Sequence, residues 1–123
     1  MIFLKNKNEI KDIDRACKIV RDTLFYIEEY VVPDVTSLDL DRMAEEFIIS
    51  KGAIPGFKGL YGFPNTLCVS IEDEVVHGIP SNRRLKDGEI VGIDHVREYY
   101  LDLLLANDLV DDLNLNIRIW SKE

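Results

Sequence analysis

The sequence predicts an α+β domain, with its helices first and its strands after them. Two amphipathic helical patterns fill the first fifty residues, and short apolar runs separated by turn signals begin at Thr66. Between them the composition changes at Gly52, where glycine and proline start to recur.

The first helical pattern runs from about Asn8 to Val32. Ile10, Ile13, Cys17, Val20, Leu24, Ile27 and Val31 recur at three- and four-residue steps and trace one face. Glu9 and Asp12 place negative charge in the first turns, which suits the positive end of the helix dipole. Pro33 closes the pattern, because the residue before a proline is driven out of helical geometry. The second helix opens on Thr36-Ser37-Leu38-Asp39, which has the form of a capping box. Leu40, Met43, Ala44, Phe47 and Ile48 form its apolar stripe, and Gly52 supplies its stop. Two such helices on a short loop pack antiparallel or cover one face of a sheet.

Gly52, Gly56, Gly59 and Gly62, with Pro55 and Pro64, mark out a loop that carries Phe57, Leu60, Tyr61 and Phe63. Strands are expected over Thr66 to Ile71, Val75 to Ile79 and Glu89 to Ile93. Glu72-Asp73-Glu74 forms an acidic turn between the first two, and Leu85-Lys86-Asp87-Gly88-Glu89 turns into the third. From His95 to Glu123 the leucines follow neither a helical nor a strand period, and glycine and proline are absent. A helix is the expectation there, with a short strand over Ile117 to Trp120.

A chain of 123 residues has room for one modest domain, and its hydrophobic content of 46% provides for a core. The net charge of −8 repels phosphate and argues against nucleic acid as a direct partner. Cys17 and Cys68 lack metal-ligand spacing and read as small buried hydrophobes. Met1-Ile2-Phe3-Leu4 meets Lys5 at once, too short for a signal core or a membrane span. The expected home is the reducing cytoplasm, with no membrane partner.

Chemistry concentrates in two places. His77-Gly78-Ile79-Pro80 follows an apolar run and holds an imidazole where the chain turns. Asp94 closes the next apolar run, a common way to present a carboxylate to a metal or substrate. Taken singly, these are as ordinary as a surface histidine and a turn-forming aspartate. Their flanks and order change that.

The segment from Phe57 to Ser70, FKGLYGFPNTLCVS, resembles the substrate-pocket segment of type I methionine aminopeptidases. Glu74-Val75-Val76-His77-Gly78-Ile79-Pro80 resembles the active-site histidine motif of that family, and Leu85 to Asp94 resembles the strand leading to its first metal aspartate. The three motifs stand in family order, and the resemblance runs from about Asn8 to Asp94.

What the resemblance implies is an α/β fold (α+β in its layering) of the pita-bread kind, of which residues 1–94 form the N-terminal half. Two helices would pack there on a curved, mostly antiparallel sheet. Residues 95–123 form a divergent tail. The implied activity is removal of the initiator methionine from nascent proteins, by hydrolysis at two divalent metal ions. Cobalt, manganese, iron, zinc and nickel are equally compatible with such ligands. By position, Asp94 matches a metal ligand and His77 the histidine that contacts substrate near the scissile amide. Phe57, Leu60, Phe63 and Cys68 fall on the pocket for the methionine side chain, where aromatic rings and sulfur suit a thioether. The implied partners are the N-terminal methionine of nascent peptides and the ribosome.

The sequence departs from the family in two ways. Leu60 stands where tyrosine is more usual, with Tyr61 beside it. The second metal aspartate is expected at the position of Leu105, and Asp102 and Asp108 lie out of matching context. The expectation is therefore a truncated or frame-shifted copy, inactive by itself. The alternative is a non-catalytic pita-bread module that binds peptides. Proline-peptidase relatives share the fold and metal logic, but the pocket segment here is of the methionine type.

Overall fold

The computed structural model describes residues 4–95 and the backbone of residues 117–119. Two helices and a three-stranded sheet follow in the predicted order.

Helix α1 spans Lys7–Glu28. Asn6 caps it, accepting from the backbone N–H groups of Asn8 and Glu9, while the Glu9 carboxylate returns a bond to the Asn6 N–H. This reciprocal box satisfies donors that a helix start leaves open. The buried face is Ala16, Ile19, Val20, Thr23, Leu24 and Ile27. Cys17, expected in the core, is exposed, and Ile10 is 54% exposed. The buried face begins only at Ala16, and Cys17 lies a further 100° or so round the helix, outside the packed stripe. The helix also ends before Pro33, at Glu28, so residues 29–32 form the turn.

Helix α2 spans Ser37–Ser50, and its capping box forms as expected between Thr36 and Asp39. Its end is a Schellman motif. The Gly52 N–H donates to the Ile49 carbonyl and the Ala53 N–H to the Ile48 carbonyl, with Gly52 at a φ of 72°. Ala53 and Ile48 then pack on Ile19 of α1. Tyr26 of α1 stacks on Phe47 of α2 with ring centroids 4.6 Å apart.

Strand β1 (Cys68–Ile71) pairs antiparallel with β2 (Val91–Asp94), and β2 pairs antiparallel with β3 (Ile117–Ile119). The expected strand at the C-terminal end of the chain is thus present. The helix expected over 96–116 lies outside the described residues. The pleat sorts side chains by parity. Val69, Ile71, Val91 and Ile93 join Val20, Leu24, Ile27, Leu40, Ala44 and Leu67 in one core under the helices. Cys68, Ser70, Gly92 and Asp94 therefore occupy the opposite face.

One expected strand does not form. Val75 to Ile79 is irregular chain with a bend at Val76, and Val75 is 89% and Val76 55% exposed. His77 adopts a φ of 57°, which interrupts any extended run. Apolar composition suggested a strand, but among the described residues the segment finds no neighbour to bury those valines against.

Candidate functional site

The site lies on the sheet face turned away from the helices. Cys68 and Asp94 are direct partners in the β1–β2 ladder, so their side chains stand side by side. Burial pushes the Asp94 carboxyl above its ordinary range, and the His77 ring is near enough to oppose that shift. Burial, with the Asp94 and Asp41 carboxylates behind it, pushes the Cys68 thiol up to about 12. Cys68 is therefore held as the neutral thiol, the less nucleophilic form.

His77 reaches this face on a strap tied to β1. The Val69 N–H donates to the Gly78 carbonyl at 2.9 Å, and the Gly78 N–H donates to Ser70 Oγ at 3.1 Å. The strap lies so close that a Cβ on residue 78 would run into the Val69 carbonyl. Glycine at 78 and the left-handed backbone at His77 together present the imidazole, which is exposed. Gly78→Ala is expected to destabilise the chain by roughly 1–3 kcal/mol, the usual range for overpacking. The midpoint of urea denaturation measures it. An unchanged midpoint would show that the strap has room to move.

The aromatic loop precedes β1. Gly59, Tyr61 and Gly62 have φ values of 88°, 47° and 79°, and a single 3-10 turn spans Leu60–Gly62. The Gly59 N–H donates to the Phe63 carbonyl at 2.7 Å, and the Phe63 N–H to the Leu60 carbonyl at 2.8 Å. Phe57 and Phe63 thereby meet edge to face with centroids 6.0 Å apart. Phe57, Leu60 and Phe63 are half-buried, while Tyr61 is 85% exposed.

The sequence reading passed over two buried polar residues near the site. Asp41 of α2, only 6% exposed, accepts from the Thr66 and Leu67 backbone N–H groups at 2.9 and 2.7 Å and from Asn65 Nδ2 at 2.8 Å. Its place between Leu40 and Ala44 on the apolar stripe was the available signal: an acid there must be buried and satisfied. His95, next to Asp94, is 2% exposed and turned to the core side.

Metal chemistry needs several ligands in fixed geometry. Among the described residues, no three of the His, Cys, Asp and Glu side chains are grouped to hold an ion. Asp94 brings one carboxylate, so these residues by themselves do not fit a two-metal centre.

The sequence model of metallopeptidase family M24 matches residues 11–102, and the chain belongs to that family. Within it, the chain is similar to methionine aminopeptidases. The enzyme of that name from Clostridium perfringens is 54% identical over 94 residues, 76% of this chain and 38% of the relative. The crystal structure of methionine aminopeptidase from Rickettsia prowazekii superposes with a TM-score of 0.75 at 38% identity, over 77% of this chain and 38% of that one. The Thermotoga maritima enzyme gives a TM-score of 0.76 at 34% identity, over 80% and 41%. The N-terminal half of the pita-bread fold is therefore what these residues form. The chain spans about 38% of the Clostridium perfringens relative. No helix among the described residues is long and apolar enough to cross a membrane.

Proposed function

We propose that this chain carries the substrate-side half of a methionyl aminopeptidase, acting on the N-terminal methionine of nascent peptides in the cytoplasm near the ribosome. The observation that supports this best is the shared sheet face, where His77, Cys68 and Asp94 come together. Phe57, Leu60, Phe63 and Cys68 hold the thioether side chain. His77 hydrogen-bonds the substrate near the scissile amide and steadies charge developing there. Asp94 supplies one metal ligand, and residues 1–94 act as the family unit, with 95–123 a divergent tail. When two divalent ions are bound in the family, they supply an acidified water for hydrolysis.

The second reading is a non-catalytic peptide-binding module, in which the same sheet face and aromatic loop hold a peptide end. Purified chain supplied with cobalt or manganese is expected to bind neither ion tightly and to release no methionine from Met-Ala-Ser. Joined to the second half of a relative, it is expected to gain turnover. Asp94→Ala and His77→Ala should each then lower that turnover by on the order of a hundredfold or more. Turnover by the 123-residue chain itself, abolished by chelation and by Asp94→Ala, would overturn the inactive reading. A joined protein that turns over equally well with Asp94→Ala would overturn the site.

A further inference from the structure

The aromatic loop is gripped at both ends by one face of α2. Asp41 and Glu45 stand one helical turn apart and so project side by side. Asp41 holds the loop's exit through Asn65, Thr66 and Leu67. Glu45 holds its entrance through an ion pair with Lys58 Nζ at 2.6 Å. Between these anchors the loop is closed by its own backbone bonds, and Phe57 and Phe63 meet across it. The loop's own bonds hold the two rings together, and α2 fixes the ends from which that loop springs.

We propose that Asp41 and Glu45 are positioning residues that fix the width of the pocket for the methionine side chain. This rests on the reading that the loop receives that side chain. The two anchors differ in kind. Asp41 is buried on backbone donors and is inseparable from the fold. The Lys58–Glu45 pair is partly exposed, with side-chain exposures of 49% and 27%. Such pairs add little to stability, so this one can be altered in a folded chain. Side-chain preference is then adjustable at Glu45 and Lys58 without unfolding the loop's support.

The test uses the full 123-residue chain with Glu45→Lys, Lys58→Glu and the double swap. Amide hydrogen exchange at residues 57–63 reports the grip without any ligand. NMR titration with Met-Ala-Ser and Leu-Ala-Ser reports the pocket. Each single variant is expected to speed loop exchange about fivefold, a local loosening, and to erode the preference for methionine over leucine. The double swap should restore both, which a merely structural effect at either position would not do. Exchange that ignores the single variants, or a swap that fails to restore protection and preference, overturns the clamp. A wild-type chain that binds neither peptide overturns the pocket reading instead, and the exchange rates then still decide whether the grip exists.

Discussion

Asp41→Ala is expected to destabilise the domain by roughly 2–5 kcal/mol, because it strands two buried backbone donors at about 1–3 kcal/mol each. The Thr66 and Leu67 N–H groups both point at one oxygen, Oδ1, and both residues are fully buried. Water has no easy path to replace that acceptor. A single domain of this size has on the order of 5–15 kcal/mol in total, so a large share of it would go. Asp41→Asn keeps an oxygen for Thr66 and Leu67 but turns its own amide donor toward Asn65 Nδ2, and is expected to lose about half as much as the alanine variant. Urea denaturation followed by far-ultraviolet circular dichroism separates the two. Equal, small losses in both variants would mean that solvent reaches Thr66 and Leu67, and that Asp41 does not organise the start of β1.

The same carboxylate shows where sequence reading stops. Local signals were legible: Thr36 and Asp39 form their box, Gly52 ends α2 in a left-handed turn, and the strands near Cys68 and Ile93 pair as alternation requires. The cap and the stop depend on neighbours within a few residues, and the strands on alternation within each run. What failed depended on distant partners. Cys17 fits a helical stripe, but which part of α1 is covered is decided by α2 and the sheet. Val75 and Val76 have strand composition, yet among the described residues no strand lies opposite them. The link from Asp41 to Asn65 spans 24 residues, and no local pattern announces it. Of the candidate site, His77, Cys68 and Asp94 were singled out through the family resemblance, and the structure places them near one another. Their supports on Ser70, Gly78 and α2 were not readable, because they are contacts and not motifs.

Acidification is expected to destabilise the folded chain through His95. Its ring is buried, and neither nitrogen has a hydrogen-bond partner among the described residues. Burial lowers its pKa from 6.5 to about 4, and the Thr66 backbone, close but outside hydrogen-bonding geometry, opposes this only weakly. Between those two values the unfolded chain binds the proton and the folded chain does not. Stability from this group is therefore complete above the unfolded value, falls with pH below it, and levels off below about 4. Each unit of pKa is worth about 1.4 kcal/mol, so the whole loss is about 3 kcal/mol, of which roughly 2 falls between pH 7 and pH 5. Asp94 works the other way, since a raised carboxyl takes up its proton in the folded state and favours that state in acid. Its opposition grows toward the lower end of the range, where carboxylates titrate. Urea midpoints at pH 7 and pH 5, taken with a chelator present, measure the slope. His95→Leu should flatten it and raise stability at both pH values, since an apolar side chain leaves no polar atom unpaired in that position. A His95→Leu chain that keeps the wild-type slope would assign the acid sensitivity to other groups and leave His95 without a role in it.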